Sequence, residues 1–244
     1  MVNYDRNASA WTTGAARVGA AEYDLGLRSY MLGIYNYMTL ALGISALVAW
    51  GTYISGVTAS LLTSPLAFVV MLAPLGFVLF MSFRFEKMTY SSLMGTFLAY
   101  SAVMGLSLST IFVAYKVGSV VQVFAITAAA FGALSLYGYT TRRSLSAIGS
   151  FLVMGLFGIV IAMLVNIFLQ SSALQFGLNV LGLLIFAGLT AWDTQRLKDE
   201  YDYVAGDREL MGKASVMGAL TLYLDFVNMF QFLLALFGQR NNNN

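Results

Sequence analysis

The sequence predicts an all-α integral membrane protein with seven transmembrane helices. Apolar residues make up 59% of the 244-residue chain, against about 45–50% in an ordinary soluble domain. Charged residues make up 10%, where about 25% is usual. A soluble protein of this length needs more charge to cover its surface, so the composition excludes a soluble enzyme, a nucleic-acid-binding protein and a disordered chain.

The spans follow from the distribution of apolar residues, because a helix needs about 20 of them to cross a bilayer. Pro65 suits the first turn of the second helix, and Pro74 in its interior predicts a kink. The apolar windows lie at 30–54, 65–84, 89–114, 118–140, 147–169, 175–195 and 213–237.

The rest of the chain consists of two short polar tails. Residues 1–28 contain Arg and acidic residues and lack the apolar segment of a cleavable signal, which predicts a cytoplasmic N-terminal tail. Residues 29–238 form the seven-helix transmembrane domain. Residues 239–244, which end in four Asn, form a short C-terminal tail.

The positive charge is distributed unequally between the two sides of the membrane. With the N-terminus inside, Lys116 and Arg240 lie in outer segments, and the other eleven of the 13 Lys and Arg residues lie in inner ones. This asymmetry predicts a cytoplasmic N-terminus and an outer C-terminus. A six-span arrangement, with one re-entrant stretch and the C-terminus inside, ranks second because the last window is long enough to cross.

The absence of two residue types restricts the chemistry. The chain has no Cys and no His, which excludes disulfides, Cys-ligated zinc, His-ligated haem and Ser-His-Asp catalysis. We expect no cofactor. Because no nucleophile is accompanied by a base, we also expect the protein not to be an enzyme.

One acid lies near the middle of the seventh window. Asp225 shares a helix face with Gly218, Thr221 and Asn228, while the rest of the helix is apolar. A charge at this depth is expensive and usually faces a cavity or a partner. The pattern predicts a helix at the centre of the bundle with a functional Asp225. The structural alternative is a carboxylic acid hydrogen bonded to backbone.

A second acid lies at the inner end of the sixth window. Asp193 shares a face with Asn179, and it is nearer the headgroups than Asp225. Here the alternative is an interfacial acid paired with Arg196 or Lys198.

Two carboxyl groups brought close together cannot both ionise cheaply, so they tend to share a proton. When ionised, such a pair offers hard oxygens, which Thr221, Asn228, carbonyls and water could supplement toward the six to eight that Ca²⁺ takes. Asn179 is a further polar group for an ion path. Cation conduction gated by pH is therefore chemically available, with Asp193 and Asp225 as a candidate calcium site.

Arg84 ends the second span. Its side chain either extends to the cytoplasmic headgroups, which is the usual behaviour at a helix end, or turns inward and neutralises an Asp.

The stretches LYGYTTRRSLSAIGSFLVMGLFGIVIA, GLTAWDTQRLK and GALTLYLDFVNMF closely resemble the Bax inhibitor-1 family, also called the transmembrane BAX inhibitor motif family, in its bacterial branch. The resemblance covers residues 22–238. It implies a seven-helix fold in which the other six helices surround the last, and a pH-sensitive calcium leak across the membrane.

The resemblance also implies roles for individual residues. Asp193 and Asp225 match the family's hydrogen-bonded aspartate pair. Arg84 is the candidate for an arginine that latches to this pair in the closed form. Eukaryotic members restrain cell death, and some bacterial relatives resemble modulators of a membrane-bound AAA protease.

The leading hypothesis is a pH-gated cation leak in a bacterial inner membrane, with Ca²⁺ as the transported ion and protons, Ca²⁺ and the lipid bilayer as its partners. The rival is a non-conducting regulator that binds a membrane-bound protease or another membrane protein in stress or cell-death signalling. A third option is an ion/proton exchanger that uses the same acids.

Overall fold

The computed structural model describes residues 5–241, with side chains described from residue 22 onward. Across this range the chain forms nine α-helices and one 3₁₀ turn, Phe85–Lys87, and no strand beyond a single bridge. The helices are α1 (Asp5–Ile54), α2 (Val57–Leu62), α3 (Leu66–Arg84), α4 (Tyr90–Leu108), α5 (Thr110–Ala114), α6 (Val117–Thr140), α7 (Ser146–Leu169), α8 (Ser172–Val204) and α9 (Arg208–Phe237).

The seven predicted spans and the all-α membrane fold are confirmed. Each predicted window lies within or almost within one segment long and apolar enough to cross a bilayer. The segments are Glu22–Ile54, Leu66–Lys87, Tyr90–Ala114, Val117–Thr140, Ser146–Leu169, Ser172–Val204 and Arg208–Phe237.

The first and the last two helices extend beyond their apolar windows. Helix α1 begins at Asp5, so the predicted boundary between residues 28 and 29 falls inside a continuous helix. Helix α9 begins earlier than predicted because the Asp207 side chain caps it, accepting hydrogen bonds from Glu209 N at 2.8 Å and Leu210 N at 3.0 Å. Hydropathy detects the apolar part of a helix and misses such polar ends.

Helix α9 occupies the centre of the bundle. In its most apolar 18-residue stretch 56% of the residues are buried, against 11–33% in the corresponding stretches of the other spans. It packs against α8, α1, α6 and α4, while α3 packs mainly on α4 and α7 on α8. The central position of the last helix is therefore confirmed, with α3 and α7 at the periphery.

Glycines allow neighbouring backbones to approach closely at two crossings. A β-carbon added to Gly138 of α6 would overlap the carbonyl oxygen of Ala191 on α8, and one added to Gly105 of α4 would lie 2.5 Å from the carbonyl oxygen of Ser45 on α1. Such small-residue contacts are how membrane helices gain packing energy in a medium as apolar as their side chains.

The C-terminal tail is attached to the loop before α6. Tyr115 and Arg240 form an antiparallel bridge, and Lys116 N donates to Gln239 O at 2.9 Å. Asn241 N donates to Ala114 O at 3.0 Å. These bonds fix the C-terminal end of the central helix; residues 242–244 of the predicted tail lie outside the described range.

Candidate functional site

Asp193 of α8 and Asp225 of α9 lie side by side inside the bundle. They are 5% and 4% exposed, and their carboxyl groups lie within hydrogen-bonding reach of each other. Ionised carboxylates only accept hydrogen bonds, so a hydrogen bond between the two groups forms only when one of them carries a proton. The structure thus brings together the two acids singled out in the sequence.

Close packing of α8 on α9 positions the pair. Gly182 of α8 faces the Phe232 ring with no room for a β-carbon, and a β-carbon at Gly218 of α9 would lie 2.9 Å from a methyl group of Leu197. Because the two helices run antiparallel, these contacts lie on opposite sides of the acids along the helix axes. Glycine therefore brings the helices close enough for two short side chains to meet.

A positive charge accompanies the pair. Arg196 Nη2 lies 2.7 Å from Asp193 Oδ1, and the Arg196 guanidinium carbon lies 4.9 Å from the centroid of the Trp192 ring. The Arg196 side chain is 48% exposed. Lys198, the other candidate partner, instead donates to Tyr139 O at 3.0 Å. Asp193 thus contacts both Asp225 and Arg196, so the predicted functional pair and the predicted interfacial ion pair are present together.

Asp225 has an unusual environment. Within residues 22–241, Asp225 Oδ2 is buried and no N–H or hydroxyl group donates a hydrogen bond to it. Buried polar atoms almost always have a partner, and a site where they do not is expensive to maintain. Asp225 therefore depends on its contact with Asp193 and on any water that reaches the pair.

The polar residues predicted to accompany the acid pair lie at different distances from it. Thr221 and Asn228 flank Asp225 on α9, but each side chain donates to the backbone of its own helix, at 3.1 and 2.8 Å respectively. Asn179 accepts from Gln175 Nε2 at 3.0 Å and lies about 21 Å along α8 from Asp193 at 1.5 Å per residue. Thr221 and Asn228 are near the pair, and Asn179 is remote from it.

The pair alone is too small a donor set for a resident calcium ion. Ca²⁺ takes six to eight oxygens, whereas no group of three or more acidic side chains able to hold a metal exists in the described part of the chain. Arg196 also neutralises one of the carboxylates. The two carboxyl groups alone therefore do not supply the coordination shell of a calcium ion.

Arg84 lies away from the acids. Its side chain is exposed, and its guanidinium carbon lies 6.0 Å from the centroid of the Phe80 ring. This placement matches an arginine extending from a helix end. In this conformation the cation on the pair is Arg196, and the latch role of Arg84 stays a prediction.

A buried chain of hydroxyl groups next to the pair escaped the sequence analysis. Ser135 Oγ of α6 contacts Tyr35 Oη of α1 and lies 2.9 Å from Thr194 Oγ1 of α8. Thr194 directly follows Asp193, so these bonds connect three helices beside the acids. The three hydroxyls lie far apart in sequence, and nothing in their local patterns indicates that they meet.

Gln195 is a second residue that sequence reasoning missed. Its Oε1 accepts from Leu145 N at 2.7 Å, and its Nε2 donates to Arg143 O at 3.0 Å. It thereby fixes the loop between α6 and α7 to the segment of α8 that carries Asp193. A lone Gln at a helix end gives no signal of such a role in sequence.

Known proteins share this sequence over most of its length. The family model described as "Inhibitor of apoptosis-promoting Bax1" matches residues 27–242. An uncharacterised protein of Rickettsia prowazekii is 42% identical over 90% of this chain and 93% of its own length. The inner membrane protein YbhL of Escherichia coli is 43% identical over 88% of this chain and 93% of its own. An uncharacterised protein of Caulobacter vibrioides is 43% identical over 88% of this chain and 90% of its own length. On this agreement of family model, relatives and seven-helix fold, the chain belongs to the Bax inhibitor-1 family.

Proposed function

We propose that this protein is a pH-sensitive cation leak of a bacterial inner membrane, with Ca²⁺ as the transported ion. The observation that carries the proposal is the contact between Asp193 and Asp225, two buried carboxyl groups on different helices in a chain without His. The membrane location draws on the relative in Escherichia coli, whose name places it in the inner membrane.

Charge balance explains how the pair would sense pH. With one shared proton the two acids carry a single negative charge, which the positive charge of Arg196 offsets. Gain of a second proton leaves Arg196 without its partner, and loss of the shared proton leaves two negative charges side by side. Both changes unbalance a cluster in a medium of low dielectric, where charge interactions are strong. The packing of α8 on α9 at the pair is therefore sensitive to protonation.

The central position of α9 explains how a change at the pair would affect the rest of the bundle. Because α9 packs against four of the other spans, a shift at Asp225 alters packing around the centre of the molecule. A path that opens there would be lined by Asp225 with Thr221 and Asn228 beside it. Carboxylate, hydroxyl and amide oxygens attract cations and repel anions.

The test is calcium entry into liposomes containing the purified protein, followed with an internal dye at about pH 6, 7 and 8, a range in which strongly coupled carboxyl pairs can titrate. Asp193→Asn and Asp225→Asn keep the side-chain shape but cannot titrate. We expect pH-dependent entry with the wild type and entry independent of pH with both variants. Asp199→Asn, which removes an exposed acid of α8, is the control and should behave as wild type.

The family description supports a different second candidate, a non-conducting regulator that acts by binding a membrane protein, such as a membrane-bound protease. The matching family model is described as an inhibitor, which is a function of binding. Folded protein that passes no calcium above empty liposomes would support this candidate and contradict the leak. An ion/proton exchanger would differ from a leak in another way, because a leak dissipates either gradient without the other.

A further inference from the structure

A long groove lies between α1 and α6, and its lining includes Ser135, whose hydroxyl group contacts Thr194 beside Asp193. Its volume is about 900 Å³, at the upper end of the range usual for small-molecule sites. The helices meet within the groove at the contact between Tyr35 and Ser135, and the side chain of Phe226 on α9 forms its floor. The groove therefore reaches from the protein surface to the central helix.

The groove is apolar and opens sideways toward lipid. Buried Met31, Phe131 and Phe226 line its interior, while Leu32 and Leu136 at its mouth are 49% and 63% exposed. In a membrane-spanning bundle such an opening faces hydrocarbon rather than water. A ligand that enters from this side must itself be a membrane component.

The groove is long enough to hold a lipid tail. The lining residues of α1 run from Arg28 to Ala46, which is about 27 Å at 1.5 Å per residue. The hydrocarbon core of a bilayer is about 30 Å thick. The groove thus extends through most of the membrane, and an acyl chain from the cytoplasmic leaflet would occupy about half of its length.

The end of the groove predicted to face the cytoplasm is positively charged. Arg28 lines it and is exposed, and it forms no ion pair with any residue in the described range. Behind the lining residue Tyr139, Lys198 Nζ lies 5.2 Å from the centroid of that ring. None of the residues that line the groove is acidic; Asp24, one helical turn before Arg28, is the nearest acid on α1.

We propose that this groove binds an anionic phospholipid of the cytoplasmic leaflet, with its phosphate at Arg28 and an acyl chain against Met31, Phe131 and Phe226. The charge of Arg28 at the headgroup level selects a negative headgroup, and the apolar walls hold the tail. The inference does not depend on ion conduction. It makes the bound lipid a structural neighbour of Phe226, the residue that follows Asp225.

Native mass spectrometry of the detergent-purified protein tests the proposal. Phosphatidylglycerol and phosphatidylcholine with identical acyl chains are added in equal amounts, and lipid adducts are counted. We expect one retained lipid, with phosphatidylglycerol about fivefold preferred, the preference that one arginine near a headgroup supplies. Equal retention of the two lipids by the wild type would overturn the anionic assignment.

Two variants locate the site. Arg28→Gln should abolish the preference, while Arg208→Gln, which removes an exposed cytoplasmic charge from α9, should preserve it. Gly132→Leu fills the groove from a position with open space around it and should remove the retained lipid. Gly158→Leu adds the same side chain at an open position of α7 and is its control.

Each variant has a result that would contradict the proposal. Retention of the lipid by folded Gly132→Leu protein would place it elsewhere and contradict the proposal, and so would an unchanged preference in Arg28→Gln. Helical content and a monodisperse elution profile establish folding for each variant. The calcium assay with wild-type protein then reports on the leak independently of lipid binding.

Discussion

Arg196 holds Asp193 at 2.7 Å from within the same helix, and the same Asp193 carboxyl group contacts Asp225 across the interface with α9. One acid therefore connects a half-exposed cation to an acid at the core of the bundle. If the pair senses pH, the charge of Arg196 must affect the pH at which it does so.

Arg196→Gln tests this coupling. Removal of the positive charge favours the protonated form of the pair, so the midpoint of the pH dependence of calcium entry should move to higher pH, whichever protonation state conducts. Arg196→Lys keeps the charge and should stay near the wild-type midpoint. An unchanged midpoint in Arg196→Gln would show that Arg196 does not influence the sensor. The midpoints of both variants are measured with the liposome calcium assay over a fine series of pH values.

Arg84 provides the matching comparison on another helix. Its guanidinium lies against Phe80 and away from the acids, so Arg84→Gln should leave the midpoint unchanged. The latch implied by the family resemblance demands the opposite result. A shift of the pH midpoint as large as the shift caused by Arg196→Gln would show that Arg84 reaches the pair in a second conformation.

Gly138 should be essential to stability. Any β-carbon there overlaps the Ala191 carbonyl, and overpacking of this kind typically costs about 1–3 kcal/mol. We expect Gly138→Ala to lower the thermal unfolding midpoint in detergent. Gly158→Ala, at an open position of α7, should be neutral or stabilising because Ala favours helix over Gly by about 1 kcal/mol. Equal midpoints for the two variants would contradict the close α6–α8 contact.

The absence of Cys from the chain makes the predicted orientation directly testable. Single cysteines at Ser144, Ser172 and Gln239 are each placed at an exposed position between or after spans. An impermeant maleimide applied to intact spheroplasts should label Ser172→Cys and Gln239→Cys, and should reach Ser144→Cys only after lysis. Protection of Gln239→Cys would favour the six-span alternative.

The spans could be predicted because lipid imposes one simple rule, that about 20 apolar residues must follow one another in each helix. The acids could be singled out for a related reason: Asp225 breaks such a run at a depth where a charge is costly. Both signals are local in the sequence. Neither requires knowledge of which helices are neighbours.

The remaining parts of the site depend on neighbours and could not be predicted. Ser135 contacts Tyr35 and Thr194 only because α1, α6 and α8 converge there. Gln195 is important only because the loop after α6 folds back to it. The groove between α1 and α6 is a gap between helices, and a gap has no residues of its own in a sequence.

The central position of α9 also constrains how the protein is made. Synthesis proceeds from the N-terminus, so the other six spans leave the ribosome before the helix at the centre of the bundle. Until Arg208–Phe237 arrives, the side chains that will pack on it face lipid or one another, and Asp193 has no partner on α9. Insertion of the last helix is therefore also the step that completes the core, and a nascent chain that stops before it lacks both the centre of the bundle and one half of the acid pair.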